Sequence, residues 1–597
     1  MSSHSRAHVQ PHRDHARLHI TQQRISSKHG TSEGPICTMD FRNSGMDVIQ
    51  AVQDYITKML SNIPGMKVFL LDKETMSIVS MVFSHSQVLQ KEVFLFELLD
   101  GKNRAPMQHL KAICFLRPTA ENRDTLVQEF KSPKYGEYHL FFSNTIPHGW
   151  IEELAGADSM ECVHGIQEYF ADYYPINNDL LSLNLKPVVS PQQDNWSILN
   201  ERMAEGLASI VLSLKRQPVI RYSARSDVAE RVTREFQRRV KADQEQPLLL
   251  IIDRRDDPIT PLLTQWTYQA MVHEILNIDN NTVTVEGASK KPEKMVLSSM
   301  QDDWYKKAMY MNYGDLGVKV KDELVTEYQT QTKKNQTIES IDDIKRFVEE
   351  YSEFKKLAGH VTKHVTLLGE LDKKIKERRL LKASEVEQSL ACETDHSSHV
   401  NDVRNLIESG ELRSHEMIRL IMLYAIRYED YPAHETESLR QVLVERYSGD
   451  GPNRVTQQQL HALDSVLRYG GKRSRSGELF GGPKNLTSFV NNLRREMKGV
   501  ENIYTQHKPY LKSVIEQAVA GRLKETDYAF GASQQAGQPP RHIIIFMVGG
   551  ATYEEACLVH EFNSQPNGPK VLLAGTKMLN SESFVADMAY FHSVIRG

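Results

Sequence analysis

Five cysteines in 597 residues are few, and they are scattered. Cys37, Cys114, Cys162, Cys392 and Cys557 form no CxxC pair, which excludes a zinc ribbon. Their odd number argues against a disulfide framework and suits a reducing compartment. No apolar run approaches the roughly 18–20 residues a membrane-spanning helix needs. No segment has the charged, apolar and small-residue order of a signal peptide. An excess of one charge sign is also missing. The formal net charge is −4, so the whole chain is not an electrostatic binder of nucleic acid. Phosphate-loop chemistry has no carrier either. The nearest Gly-Lys step, Gly470-Gly471-Lys472-Arg473, lacks the spacing and the following Ser or Thr. There is no GxSxG elbow. His273-Glu274 and His560-Glu561 begin like HExxH, but Asn277 and Ser564 stand where the second histidine belongs.

What is present is an ordinary globular composition, 40% hydrophobic and 25% charged. The length predicts about two to four domains or subdomains. Residues 1–45 differ from the rest. Their first 35 positions hold His4, His8, His12, His15, His19 and His29 and no aromatic residue. Such a segment buries too little apolar surface to offset its ordering entropy, and reads as a disordered extension. A dispersed histidine metal tract and a transit peptide are the alternatives.

From Asp47 the pattern changes. Val48, Val52, Tyr55, Ile56 and Met59 recur at helical spacing up to Leu60. Short apolar segments follow at Lys67–Leu71, Ile78–Phe83, Val93–Leu98, Ala112–Leu116 and Tyr138–Phe142, read here as strands. Thr119 opens a helix that runs to Phe130. Continuous apolar strands alternating with helices predict a parallel sheet covered on both faces, an α/β domain over 46–180. Pro218–Tyr222, Leu248–Asp253, His542–Val548 and Val571–Ala574 have the same character. Between the second and third of these, over about 280–520, the chain is charged and helical, with apolar stripes in Ile341–Phe354, Val361–Ile375 and His415–Tyr428. The expectation is a second α/β domain, 181–280 and 521–597, with a mostly helical domain, 281–520, inserted in it.

Asp253, Asp256 and Asp257 sit at the end of the Leu248–Asp253 strand, where open α/β sheets bind ligands. Magnesium there would want a bound phosphate as well, and the cradle is missing. Asp257-Pro258 and Thr260-Pro261 describe a rigid turn and a helix entry instead. Arg254 and Arg255 can pair with Asp256 and Asp257. Scaffold is the better reading, with no metal and no cofactor. Val548-Gly549-Gly550 is half a dinucleotide fingerprint, but Thr552 and Glu555 have the spacing of a capping box. Cys114 and Cys162 lie in apolar surroundings and read as buried. The charge run 372–379 reads as a solvated helix face or a contact with a partner helix.

One set of residues reaches further. Asp253-Arg254-x-x-Asp257-x-x-Thr260-Pro261-Leu262-Leu263, followed by Trp266-Thr267-Tyr268-Gln269-Ala270-Met271, resembles the signature of the SM (Sec/Munc-type) family. Met66–Val68, Gln90–Val93, Lys111–Pro118, SEVEQSLAC at 384–392, DHSS at 395–398, YGGKR at 469–473, KGVENIYTQH at 498–507 and GGATYEEA at 549–556 are similar to its vacuolar-protein-sorting branch. The likeness runs from about Met46 to Phe584.

The resemblance implies an α/β plus α fold. It is a three-domain arch of two open parallel-sheet α/β domains, with a large helical domain inserted in the second. It implies a protein that is not an enzyme but a SNARE-assembly chaperone for Golgi, endosome and vacuole or lysosome traffic. The implied partners are a syntaxin-class SNARE of the trans-Golgi network or endosome, the assembling SNARE complex and a rabenosyn-type Rab effector. Nucleic acid is not among them. The implied location is cytoplasmic, peripheral to Golgi and endosomal membranes through partners. A phosphate-handling α/β enzyme is the alternative, and a co-purifying nucleotide would favour it.

The family grips a syntaxin N-terminal peptide between a helix of its first domain and the following edge strand. Carried onto this sequence, that groove is assigned to Leu126 and Phe130 on the helix and Tyr138 and Leu140 on the strand. The family's SNARE-binding hairpin is assigned to about 320–371. Its contact stripe is Ile341, Ile344, Phe347, Val348, Tyr351, Phe354 and Leu357, at helical spacing. No proline occurs from 293 to 431, so no interior N–H is missing there. Asp253, Arg254, Asp257, Thr260 and Pro261 are expected to be structural.

Overall fold

A computed structural model describes residues 46–240, 247–286, 292–336, 341–451, 453–476, 479–480, 503–532 and 538–596, without the side chains of 333–336 and 341–352. The amino-terminal extension 1–45 lies outside the described residues. The chain divides into two compact units. One holds Tyr55–Met76 and His85–Phe170; the other holds 46–54, Ser77–Ser84 and 171–596.

The first unit carries five parallel strands: β1 (Lys67–Leu71), β2 (Val93–Leu98), β3 (Met107–Leu116), β4 (Tyr135–Phe142) and β5 (Val163–Glu168). Their order is β2-β1-β3-β4-β5. All of β1 is buried, as the unbroken run Lys-Val-Phe-Leu-Leu requires of a strand covered on both faces. The helix Ala120–Lys131 starts where Thr119 accepts a hydrogen bond from the Asn122 N–H at 3.2 Å. Its Leu126 and Phe130 pack on Tyr138, Leu140 and Phe142 of β4 to form the core.

Two strand expectations need correction here. Ile78–Phe83 is not a strand: Lys73–Val82 is a helix. Asp72 caps it by accepting from the Thr75 N–H at 2.7 Å, and Ile78, Val79 and Val82 are buried at helical spacing. A short apolar run suits either element, and the cap decides. Second, β5 exists. Its sequence, Val-His-Gly-Ile-Gln-Glu, has no apolar run because an edge strand is only partly covered.

The second unit is built on a seven-stranded sheet. Its first strands are β6 (Tyr174–Asn177), β7 (Leu180–Ser182), β8 (Val219–Ser223) and β9 (Leu248–Asp253). A hairpin of β10 (Thr282–Glu286) and β11 (Pro292–Val296) lies apart from that sheet. The sheet is completed by β12 (Tyr528–Phe530), β13 (His542–Val548) and β15 (Lys570–Gly575), while β14 (Ala551–Thr552) and β16 (Met578–Leu579) pair with each other apart from it. The order is β12-β8-β9-β13-β15-β7-β6, with β12 and β6 antiparallel at the edges. β6, which falls within the 46–180 segment, therefore pairs in the second sheet.

β9 and β13 are neighbours, Leu249 opposite Ile544 and Ile251 opposite Phe546. In the chain a helical block separates them. Its centre is the helix Ser414–Arg427, in which Met417, Ile418 and Leu420 to Ile426 are all buried. Such a helix has no polar face because other helices surround it. Arg419 lies on it, fully buried, and donates to the Leu262 carbonyl at 2.8 Å and Thr264 Oγ1 at 2.9 Å. Glu387 of the helix Leu380–Cys392 neutralises it and accepts from the Thr264 N–H at 2.6 Å. Trp266 Nε1 donates to Ser384 Oγ at 2.7 Å. The segment Leu262–Trp266 that follows β9 is thus tied to the inserted helices by buried polar groups.

Candidate functional site

The Asp253–Pro261 motif begins where β9 ends, and every carboxylate in it is already occupied. Asp253 accepts from the Arg255 N–H at 3.0 Å and from Ser226 Oγ. Asp256 accepts from Ser223 Oγ at 2.6 Å and the Ser476 N–H at 2.7 Å. Asp257 accepts from the Ile259 and Thr260 N–H groups, from Thr260 Oγ1 at 2.6 Å and from the Tyr510 N–H at 3.0 Å. Pro261 sits in the 3-10 turn Thr260–Leu262, where its missing N–H costs nothing.

The expected pairing of Arg254 with neighbouring aspartates is not the main one. Arg254 donates two hydrogen bonds to Glu555, at 2.9 and 2.7 Å, and stands 3.9 Å from Asp257. Arg255 lies 4.0 Å from Asp253 and donates to the Val189 carbonyl at 2.7 Å. Glu555 also completes a capping box with Thr552 at the start of the helix Tyr553–Ser564. The two motifs quoted from opposite ends of the domain are therefore one buried unit. Gly549 adopts φ +88°, and a Cβ there would come within 2.8 Å of Arg254 Cβ.

A cavity of about 10 Å³, the size of one water, lies among Asp253, Arg254, Asp256, Asp257, Tyr510 and Glu555. Burial pushes the Asp256 carboxyl up to about 6 against its hydrogen bonds. Burial would also raise Asp257, but the Arg254 charge holds it below the ordinary value. Among the described residues, no three His, Cys, Asp or Glu side chains converge as metal ligands.

In the first unit the four groove candidates are core. Leu126, Phe130 and Tyr138 are fully buried and Leu140 is 1% exposed. The Tyr138 hydroxyl donates to Glu129 at 2.7 Å, and Glu129 takes two further hydrogen bonds from Arg104. No peptide reaches these side chains while the core stands. The cause of the misplacement is topological. β4 lies between β3 and β5 and is not an edge.

Two helices are followed by edge strands: His85–Leu89 by β2, and Trp150–Ala157 by β5, the edge beside β4. Leu154 and Val163 join the core, while Ile151 and Ile166 are half-buried. Ala155 and Gly156 are exposed beside them, and open space lies where a Cβ on Gly156 or Gly165 would point. Trp150 is held by the Arg123 guanidinium, 5.0 Å from its ring. At this edge Ile151 and Ile166 are therefore partly open to solvent beside small exposed residues.

The second surface is a helical hairpin. Its outgoing arm is Tyr313–Lys319, a π turn at Val320–Val325 and Thr326–Gln336; its returning arm is the 37-residue helix Ile341–Glu377. The side chains of Ile341, Ile344, Phe347, Val348 and Tyr351 lie outside the described residues. Phe354 and Leu357 are half-buried. Phe354 stacks on Tyr328 with 5.5 Å between centroids, so it joins the two arms.

Two units built on largely parallel sheets, a helical insertion and buried motifs that join distant segments define the class of fold. A model of the Sec1 family matches residues 67–587, and the chain belongs to that family. Within it, the chain is 43% identical over 557 residues to vacuolar protein sorting-associated protein 45 of Dictyostelium discoideum, covering 91% of this chain and 97% of the relative. The human protein of that name is also 43% identical, over 558 residues, covering 91% and 96%. Among solved structures, the SM protein Vps45 in complex with the Qa SNARE Tlg2 superposes with a TM-score of 0.83 at 40% identity, covering 92% of this chain and 99% of that one. The resemblance read from the motifs, to the vacuolar-protein-sorting branch of the SM family, is borne out. Among the described residues, no helix is long and apolar enough to cross a membrane.

Proposed function

We propose that this chain is a SNARE-assembly chaperone that binds a Tlg2-type Qa SNARE of the trans-Golgi network or endosome. One observation carries the reading: likeness to Vps45 bound to Tlg2 over 92% of the chain. The syntaxin N-terminal peptide lies along the sheet edge formed by the helix Trp150–Ala157 and β5, with Ile151 and Ile166 as apolar contacts. Its backbone can add to the open edge of β5. The hairpin between about 320 and 371 receives the SNARE helices, and the stripe from Ile341 to Leu357 supplies the apolar contacts. A rabenosyn-type Rab effector is a further partner. The protein works without catalysis or cofactor, in the cytoplasm, and reaches Golgi and endosomal membranes through these partners.

The test is fluorescence transfer between labelled SNARE helices during assembly, with and without the chain. Faster assembly with the cognate trans-Golgi Qa SNARE is expected. An unchanged rate at saturating protein contradicts the chaperone reading.

A further inference from the structure

The root of the hairpin has a feature that neither the family match nor the contact stripe accounts for. Both arms are held by one short helix, Asp303–Ala308, and its N-cap Asp302. Asp302 Oδ1 accepts from the Tyr305 N–H at 2.9 Å, closing the cap. The other oxygen faces the returning arm, with Lys363 Nζ at 2.5 Å and His364 Nε2 at 2.9 Å. His360 Nδ1 stands 3.7 Å from Oδ1.

His364 is fully buried and reaches further. Its Nδ1 lies 2.7 Å from the Tyr268 hydroxyl, and its ring lies 4.6 Å from that of Trp304. A neutral ring satisfies this chain: Nε2–H donates to Asp302 and Nδ1 accepts from Tyr268. Burial depresses the His364 ring despite Asp302, which agrees with that state. Trp304, next to the cap, serves the other arm. Its Nε1–H donates to Glu323 at 3.1 Å, inside the π turn.

A π turn is a wide, infrequent turn that recurs inside helices at functional sites. Here it sits where the outgoing arm leaves the core. Val320 and Leu324 are buried, whereas the side chains from Thr326 to Thr332 are exposed or half-buried. A buried carboxylate that loses its partners is costly, so the cluster is either fully formed or broken. An element with two discrete states at the base of a lever fixes the direction of the whole lever.

We propose that Asp302 and Trp304 are positioning residues that couple the two arms of the hairpin at their root and set its orientation for SNARE helices. This rests on the reading of the hairpin as the SNARE-binding element. Asp302 holds the returning arm through Lys363 and His364. Trp304 holds the outgoing arm through Glu323. Loss of either contact frees one arm from the register of the other.

Asp302→Asn keeps the cap, because asparagine caps as well as aspartate, but removes the charge facing Lys363. Trp304→Phe keeps the ring and removes the N–H. Hydrogen exchange of the full chain reads the arms directly. In each variant the amides of 320–336 and 341–364 exchange roughly tenfold faster, while those of β9 and β13 do not change. Affinity for the N-terminal peptide of the Qa SNARE is unchanged, and acceleration of SNARE assembly falls roughly tenfold. Unchanged exchange in both variants overturns the clamp. Faster exchange with full acceleration keeps the clamp and overturns its positioning role. If the wild-type chain itself gives no acceleration, the reading of the hairpin fails, and exchange still decides the clamp. Should Asp302→Asn not fold, Trp304→Phe and Lys363→Met carry the same test.

Discussion

Arg254 and Glu555 are separated by 301 positions and bonded by two hydrogen bonds. Both were visible in the sequence as parts of motifs, and their roles as turn and capping box were legible. Their pairing was not, because no local spacing connects positions that meet only when β13 docks beside β9. Glu555→Ala leaves a buried guanidinium without its main partner and should cost about 3–5 kcal/mol of unfolding free energy, read from the denaturant midpoint. Asp256 makes a prediction of opposite sign. Its folded pKa of about 6 stands above the ordinary value of 3.8. Ionisation therefore favours the unfolded chain, and the penalty is absent below the unfolded value and complete above the folded one. The stability of Asp256→Asn relative to wild type should rise with pH across that window by roughly 3 kcal/mol. Urea melts at the two ends of the window measure it, and a difference that does not vary with pH contradicts the burial argument.

At the scale of elements, legibility followed coverage. β1, β9, β13 and β15 are central strands whose nearly continuous apolar runs announce them. β5 is an edge with His164, Gln167 and Glu168 exposed, so its sequence carries no such run. With β5 unseen, the groove candidates were assigned to a helix and strand that build the core. The hairpin β10–β11 was missed for a related reason: its alternation spans only five residues per strand, and the helical block around it dominates the pattern. Leu140→Arg follows from the corrected position. It places a charge in a fully formed core and should abolish cooperative melting of the first unit, not merely peptide binding. Thr119→Ala should cost about 1 kcal/mol by removing the cap of the helix that covers that core. A circular-dichroism melt separates the two, and a Leu140→Arg protein with a wild-type melt would contradict the burial described here.

For the whole molecule, fold and family were legible because many blocks match in order along nearly the full chain. The binding surfaces were less so, since a surface is defined by what the fold leaves uncovered, and that is settled only once every strand has its neighbours. The edge formed by the helix Trp150–Ala157 and β5, proposed above for the peptide, is such a remainder. Ile151 lies three residues before Leu154, on the same helical face, yet it is only half-buried. An arginine there reaches solvent without entering the core, so Ile151→Arg should fold normally and still block a peptide. The most direct measurement is a calorimetric titration of the full chain with the N-terminal peptide of its trans-Golgi Qa SNARE, beside Ile151→Arg. Saturable binding to the wild type, lost at least tenfold in the variant with an unchanged melt, is the predicted result. Equal binding by both proteins, or none by either, would contradict the placement of the SNARE peptide on this edge.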